Sequence, residues 1–209
     1  MDPRAIRDGY ATIAHAYAEQ LRHELDAKPL DRGFLDAFAA TVGDGRVVDI
    51  GCGPGQIAAY LRGRGVAVEG LDLSPQMIEQ ARALYPDIAF RVGDMFALPY
   101  ADASLAGIVG FYAIVHTPTD ELVAPFTEFH RVVRPRGLVA VAFHVGSERK
   151  HVAEMWGCTT SLEFWFHPAE AVVAALEVAG FSIEARLDRE PYPDVEHPSR
   201  RAYVLARRR

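Results

Sequence analysis

Apolar residues recur at intervals of three and four along the first stretch of the chain, where Ile6, Tyr10, Ile13, Tyr17, Leu21 and Leu25 fall on one stripe. That spacing predicts an amphipathic helix over residues 3–26. Leu30, Phe34, Leu35 and Phe38 follow Lys28-Pro29 and predict a second helix over 30–41. The period then changes. Short Val- and Ile-rich runs at Arg46–Ile50, Val66–Leu71, Ile88–Val92, Leu105–Phe111 and Leu138–Phe143 alternate with helical segments near 55–63, 75–84 and 120–133. This is the alternation of β-α-β units around a parallel sheet. The first four runs are apolar enough to be buried on both faces. Pro125 interrupts the third of these helices and predicts a later start or a kink.

The last third reads differently. Residues 145–167 show no clean period and are dense in His, Glu and Trp. A connection of that length reads as a lid or binding element. Pro168 opens a helix that Gly180 closes, matching the preference for Pro at the first turn and Gly just past the end. Phe181, Ile183, Ala185 and Leu187 alternate as a strand, and 202–206 give another after the turn-rich stretch 190–199. Two strands with no room for a helix between them should pair antiparallel. The expected fold class is α/β: a seven-stranded, mostly parallel sheet with an antiparallel last strand, helices on both faces and an N-terminal helical cap. One domain is expected over 1–209, with 1–42 as the cap and 145–167 as a lid insertion.

Composition narrows the partners. The 209 residues are 50% hydrophobic and 24% charged, which suits one well-filled core. A net charge of −6 argues against a nucleic-acid footprint, which needs a concentrated basic face. Arg207-Arg208-Arg209 reads as a solvated tail. Cys52 and Cys158 lack Cys or His neighbours at ligand spacing, so neither a disulfide framework nor a metal site is expected. No apolar run approaches the roughly 20 residues needed to span a bilayer, and no apolar leader opens the chain. The expectation is a cytoplasmic protein, monomer or homodimer, acting on a small molecule.

The chemistry concentrates after the first strand. Val47-Val48-Asp49-Ile50 runs into Gly51-Cys52-Gly53-Pro54-Gly55, and a helix follows. Such a turn lets backbone approach a ligand and aims helix N-terminal N–H groups at it. Asp72 ends the second strand, where a carboxylate can accept from both hydroxyls of a ribose. Asp94 ends the third, placed to accept from an adenine amino group. A nicotinamide dehydrogenase is the competing reading, but its glycine pattern fails at the sixth position, Gln56, and is rescued by Ala58 only from a start two residues late.

Four ordered segments carry a resemblance: Val47–Gln56; Gly70-Leu71-Asp72-Leu73-Ser74-Pro75-Gln76-Met77-Ile78; Gly93-Asp94-Met95 with Leu98-Pro99-Tyr100; and Phe129–Gly137. In order and spacing they resemble the motifs of the Rossmann-like class I S-adenosylmethionine-dependent methyltransferases. The resemblance implies that Gly51, Cys52, Gly53 and Gly55 cradle the methionine part of S-adenosylmethionine. It implies that Asp72 binds ribose, Asp94 and Met95 flank adenine, and Leu73 and Met77 pack on the nucleoside. Phe111 and Tyr112 would lie under the sulfonium, with S-adenosylhomocysteine as product. Tyr10-Ala11-Thr12-Ile13-Ala14-His15-Ala16-Tyr17 resembles the Tyr-rich capping helix of small-molecule members, with Tyr17 toward the cofactor and Tyr10 toward the acceptor. The chain departs from the family at Ala106, often an acid, and at Arg136, often a glycine.

Methyl transfer from a sulfonium is an in-line displacement, so alignment supplies most of the acceleration, on the order of 7–11 kcal/mol. A hydroxyl acceptor gains further from a base. His116 follows the fourth strand and His144 ends the fifth, which places both on the rim where α/β sheets bind ligands. His116 is the first candidate base and His144 the second. In 145–167, Trp156 and Trp165 stand among carboxylates and are candidates to enclose a flat or cationic acceptor. The expected activity is methyl transfer to an oxygen or nitrogen nucleophile; the alternatives are the oxidoreductase and a protein that binds the cofactor without turnover.

Overall fold

The computed structural model describes residues 2–209. Helix α1 covers Pro3–Leu21, begun by Asp2, whose carboxylate accepts from the Arg4 N–H at 2.9 Å, and by Pro3 in the first turn. It stops short of the expected residue 26. Lys28 precedes Pro29 and is held at φ −121°, ψ 73°, so the chain cannot run helically into the next element. A 3₁₀ turn, Glu24–Ala27, bridges to α2, Pro29–Thr41.

There follow β1 Arg46–Ile50, α3 Gln56–Gly63, β2 Ala67–Asp72, α4 Pro75–Leu84, β3 Phe90–Val92 and β4 Leu105–Phe111. Next come α5 Val123–Val132 and β5 Val133–His144. Pro125 sits in the first turn of α5, which begins later than residue 120, as the proline requires. A hairpin, β6 Arg149–Met155 and β7 Cys158–Trp165, then leads to α6 Ala169–Val178, β8 Phe181–Arg189 and β9 Arg201–Arg208.

The main sheet has seven strands in the order β3-β2-β1-β4-β5-β9-β8. The five strands from β3 to β5 are parallel; β9 runs antiparallel between β5 and β8. One face packs under Phe126, Phe129, Val172 and Leu176, the other under Leu35, Phe38, Leu61 and Ile78. Helices therefore cover both faces, and the carboxyl ends of β1, β2, β4 and β5 converge with the start of β9. Arg136, where the family often has glycine, is left-handed at φ 64° before the straight part of β5.

Residues 145–167 are more regular than their composition suggests. β6 and β7 pair antiparallel through Trp156-Gly157, with φ of 50° and 76°, the two left-handed residues of a type I′ hairpin turn. The alternation on β7 is real but weak: Thr160 and Leu162 are buried, with the exposed Ser161 between them. They press on α1, where Thr160 Oγ1 donates to the Gly9 carbonyl at 2.9 Å and a Cβ on Gly9 would lie 2.7 Å from Leu162. Gly9 is what lets helix and hairpin meet.

Candidate functional site

The glycine loop is the first wall of the site. Gly51, Gly53 and Gly55 have φ of 63°, 51° and 90°, backbone that other residues rarely adopt. Asp49 anchors the loop from below: its buried carboxylate accepts from the Ala58 N–H at 3.1 Å, and burial raises its pKa well above the usual range. Asp72 Oδ2 accepts from Gly53 N at 2.9 Å and Oδ1 from Ser74 N at 2.8 Å. It pairs with no cation among the described residues, and burial raises its pKa despite those two bonds. Two of its roughly four lone-pair positions are therefore used, leaving capacity for a ligand's hydroxyls. Ser74 caps α4 and buries Met77 beneath the same space.

These residues open on a cleft of about 850 Å³ lined by Gly51, Gly53, Asp72, Leu73, Met77, Asp94, Met95, Phe111, Tyr112, Tyr10, Tyr17 and His116. A larger, solvent-open cavity continues from it across Tyr10, Tyr17, Gly51, Gly53, Phe111 and Tyr112. It adds Cys52, Val115, His144, Met155, Trp156, Phe164 and a charged floor containing Glu24, Lys28, Glu196 and Arg201. Cys52 is buried, and burial holds its thiol pKa well above the usual range, so it fills space rather than reacting. Tyr112 leaves β4 left-handed at φ 58°, where the sheet's connections diverge.

Tyr10 and His116 meet on the shared wall. His116 Nδ1 lies 2.6 Å from the Glu163 carbonyl of β7, which can only accept, so Nδ1 carries the proton. Nε2 is then an acceptor, and the Tyr10 hydroxyl at 2.8 Å donates to it. Burial lowers the His116 pKa to about 4, so the ring is neutral near pH 7. Phe164 packs against it at a tilt, with centroids 4.8 Å apart. Burial first, and the Asp72 carboxylate second, raise the Tyr10 pKa and keep its hydroxyl protonated. The lone pairs of the Tyr10 oxygen are free to receive a proton as its own passes to His116.

His144 stands at the other end of the larger cavity. Its Nδ1 is 2.8 Å from Ser199 Oγ and its ring stacks on Phe166, centroids 4.9 Å apart. Burial, then the positive charge of Arg201, push its pKa down to about 3. Beneath it, Arg189 donates to Asp31 at 2.9 Å and to the Tyr203 hydroxyl at 2.9 Å, and Tyr203 donates to Asp31 at 2.8 Å. Arg189 also pairs with Glu196. Lys28 pairs with Glu24, which accepts from Gln56 beside the glycine loop at 2.7 Å.

Most residues expected at the site are thus brought together. Two are not. Gly55 lines neither cavity: a Cβ there would lie 2.7 Å from the Phe90 ring, so its role is to let α3 pack on β3. Trp165 also lines neither; strand alternation turns it away from Phe164, and Arg149 lies 5.4 Å over its ring. Trp156 does line the larger cavity, edge-on to Tyr17 at 5.3 Å. Sequence reading gave no role to Asp49, Glu24, Lys28 or Arg201. Asp49 was legible as the acid before the loop; the others meet only through tertiary packing. Among the described residues no group of three or more His, Cys, Asp or Glu could hold a metal, and no helix is long and apolar enough to cross a membrane.

The chain matches a family model described as a methyltransferase domain over residues 47–137. It is 32% identical over 145 residues to a demethylmenaquinone methyltransferase of Beutenbergia cavernae, covering 68% of this chain and 58% of that protein. It is 29% identical over 164 residues to a malonyl-[acyl-carrier protein] O-methyltransferase of Pseudescherichia vulneris, covering 77% and 62%. The chain therefore spans about three-fifths of the length of these relatives. Among solved structures, a magnesium protoporphyrin IX methyltransferase from Synechocystis with bound SAM superposes with a TM-score of 0.74 at 18% identity, over 100% of this chain and 98% of that one. Another SAM-dependent methyltransferase, from Methanosarcina mazei, gives 0.71 at 17% identity over 79% and 92%. The solved structures share the fold, and the family model and the sequence relatives are methyltransferases: the chain belongs to the class I S-adenosylmethionine-dependent methyltransferases.

Proposed function

We propose that the protein transfers a methyl group from S-adenosylmethionine to an oxygen or nitrogen atom of a small molecule. The observation that carries this is the division of the site: a cleft with an unpaired carboxylate at Asp72 opens, across Tyr10 and Tyr17, into a separate cavity large enough for an acceptor. Asp72 would hold the ribose, Leu73, Met77 and Met95 would enclose the nucleoside, and Gly51 and Gly53 would line the methionine. The cofactor, when bound, supplies a methyl group activated by a sulfonium.

The chain's own part is alignment and a proton path. Tyr10 would accept the proton of the acceptor as its own passes to His116, whose position is fixed by the Glu163 carbonyl. His144 is less suited to this task, because it stands away from Tyr10 with its Nδ1 engaged by Ser199. The two free cysteines suit the reducing cytoplasm.

Calorimetry and an acceptor screen test the reading. S-adenosylmethionine should bind and NAD should not, and Asp72→Asn should weaken the former by about 10- to 100-fold, as expected for one charge-assisted hydrogen-bond set. Turnover of a small acceptor should release S-adenosylhomocysteine. NAD binding without binding of the sulfonium compound would overturn the proposal.

A further inference from the structure

His167 is fully buried, lines neither cavity, and has both of its ring nitrogens engaged. Its Nε2 lies 3.3 Å from the Ile114 carbonyl, which can only accept, so Nε2 carries the proton. Nδ1 is then an acceptor, and the Thr119 hydroxyl at 2.9 Å donates to it. Burial lowers the pKa of this ring, in keeping with its neutral form. The main chain of the same residue is fastened to the end of β5. His167 N donates to the His144 carbonyl at 2.9 Å, and Gly146 N donates to the His167 carbonyl at 3.2 Å. A residue anchored on the sheet thus reaches with its side chain to the connection that follows β4.

That connection carries His116. It consists of two short 3₁₀ turns, Ala113–His116 and Thr119–Glu121, separated by an extended Thr117-Pro118 step. Thr117 has φ −96°, ψ 128° and Pro118 φ −54°, ψ 144°, so no helical ladder runs from one turn into the other. His167 supplies the link, because Ile114 belongs to the first turn and Thr119 opens the second. The His116 ring points the opposite way, with Nδ1 on the Glu163 carbonyl of β7, just upstream of His167. One imidazole reaches from the turn to β7, and the other from the exit of β7 back to the turn.

The fold alone does not call for a histidine here. The Ile114 carbonyl already accepts from Thr117 N at 2.9 Å, and Thr119 is only half-buried, so loss of the imidazole would leave neither partner both buried and unpaired. An apolar ring would fill the same place beside Phe143, whose ring lies edge-on at 6.2 Å. It would not fix the turn. His116 Nε2 has to stay on the Tyr10 hydroxyl, and a misplacement of about 1 Å at such a contact costs about 10²-fold in rate.

We infer that His167 is a positioning residue: by tying Ile114 and Thr119 to the end of β5, it holds the turn so that the His116 ring stays between the Glu163 carbonyl and the Tyr10 hydroxyl. This rests on the proton path proposed above and adds the group that aligns it.

Long-range proton–nitrogen NMR spectra of the imidazole rings in the full chain test the inference, with His116 and His167 assigned by their absence in His116→Gln and His167→Gln. Near neutral pH the two rings should be opposite tautomers, protonated on Nδ1 in His116 and on Nε2 in His167. His167→Phe should turn the single His116 tautomer into an exchanging mixture, while the calorimetric affinity for S-adenosylhomocysteine stays unchanged. His167→Gln, whose amide can donate to Ile114 and accept from Thr119, should keep the single tautomer. With an acceptor found by the screen above, kcat should fall by about 10²-fold in His167→Phe and largely recover in His167→Gln, with KM unchanged in both. Thr119→Val removes one of the two bonds from the half-buried side and should give part of the same change, so it serves even where His167→Phe does not fold. A proton on Nδ1 of His167, a His116 tautomer that neither His167→Phe nor Thr119→Val alters, or a loss of rate that His167→Gln does not restore overturns the inference. A His116 ring protonated on Nε2 in the unaltered protein overturns the proton path itself, and the inference with it. Absence of turnover with every acceptor counts instead against the methyltransferase reading, while the spectra still decide the role of His167.

Discussion

The two halves of the site are built by different means. The cofactor half lies over β1, β2 and β3 and is made of backbone, short acids and residues no more than a few dozen positions apart, as in the bond from Gly53 to Asp72. The acceptor half lies over β4, β5 and β9 and is stitched together by distant side chains. Tyr10 and His116 are 106 positions apart, Asp31 and Arg189 158, and Asp31 and Tyr203 172. A half made from one local supersecondary unit keeps the same binding surface whatever is packed beside it. A half made from long-range contacts can be rebuilt by changing one helix or hairpin. On the proposed function, the arrangement separates the methyl donor from the molecule acted on.

The strongest way to break that separation is at the shared wall. Tyr10→Phe and His116→Gln should each lower kcat by about 10²- to 10⁴-fold, with cofactor affinity unchanged within twofold. The double variant should lose little more than either single, since the two act as one unit. Equal loss of cofactor binding, measured by calorimetry, would show that the wall belongs to both halves. Next in size is Gly9→Val, which forces a side chain into Leu162. It should cost about 1–3 kcal/mol in thermal or urea unfolding and raise the acceptor KM more than the cofactor Kd. The smallest effect is on pH dependence. His116 and His144 have pKa values lowered to about 4 and about 3, against an ordinary 6.5. The folded state therefore binds fewer protons than the unfolded one between those values. Stability is fully present above about pH 6.5 and is lost as pH falls toward 3, by up to about 1.4 kcal/mol per pH unit for each ring. His116→Gln should flatten the slope above pH 4, read from melting temperatures.

The same contrast governs how much could be read from the sequence. Strand–turn–helix order, Asp72 and Asp94 were legible because each is fixed by its neighbours in the chain. The seven-stranded sheet with an antiparallel β9 followed from the same alternation, together with the short link between the last strands. The hairpin was not legible: a type I′ turn made by Trp156-Gly157 lacks the usual Asn-Gly or Asp-Gly signal, and only two positions of β7 are fully buried. The end of α1 was overrun because Leu25 continues the apolar stripe even though the backbone has already tightened before Pro29. Arg201 gave no signal, since nothing local distinguishes a buried arginine in β9 from the exposed arginine beside it at position 200.

The placement of β9 between β5 and β8 bears on how the molecule assembles in time. Synthesis delivers β5 well before β9, so β5 carries an unpaired edge while the rest of the chain is being made. Five of the eight strand residues from 201 to 208 are Ala, Tyr, Val, Leu and Ala in succession, and this apolar run must slot into an edge that any other extended segment could also occupy. Insertion of β9 closes that edge, and the same event brings Arg201 to the larger cavity. A chain without β9 would keep every residue of the glycine loop, yet lose Arg201 from the floor of the larger cavity.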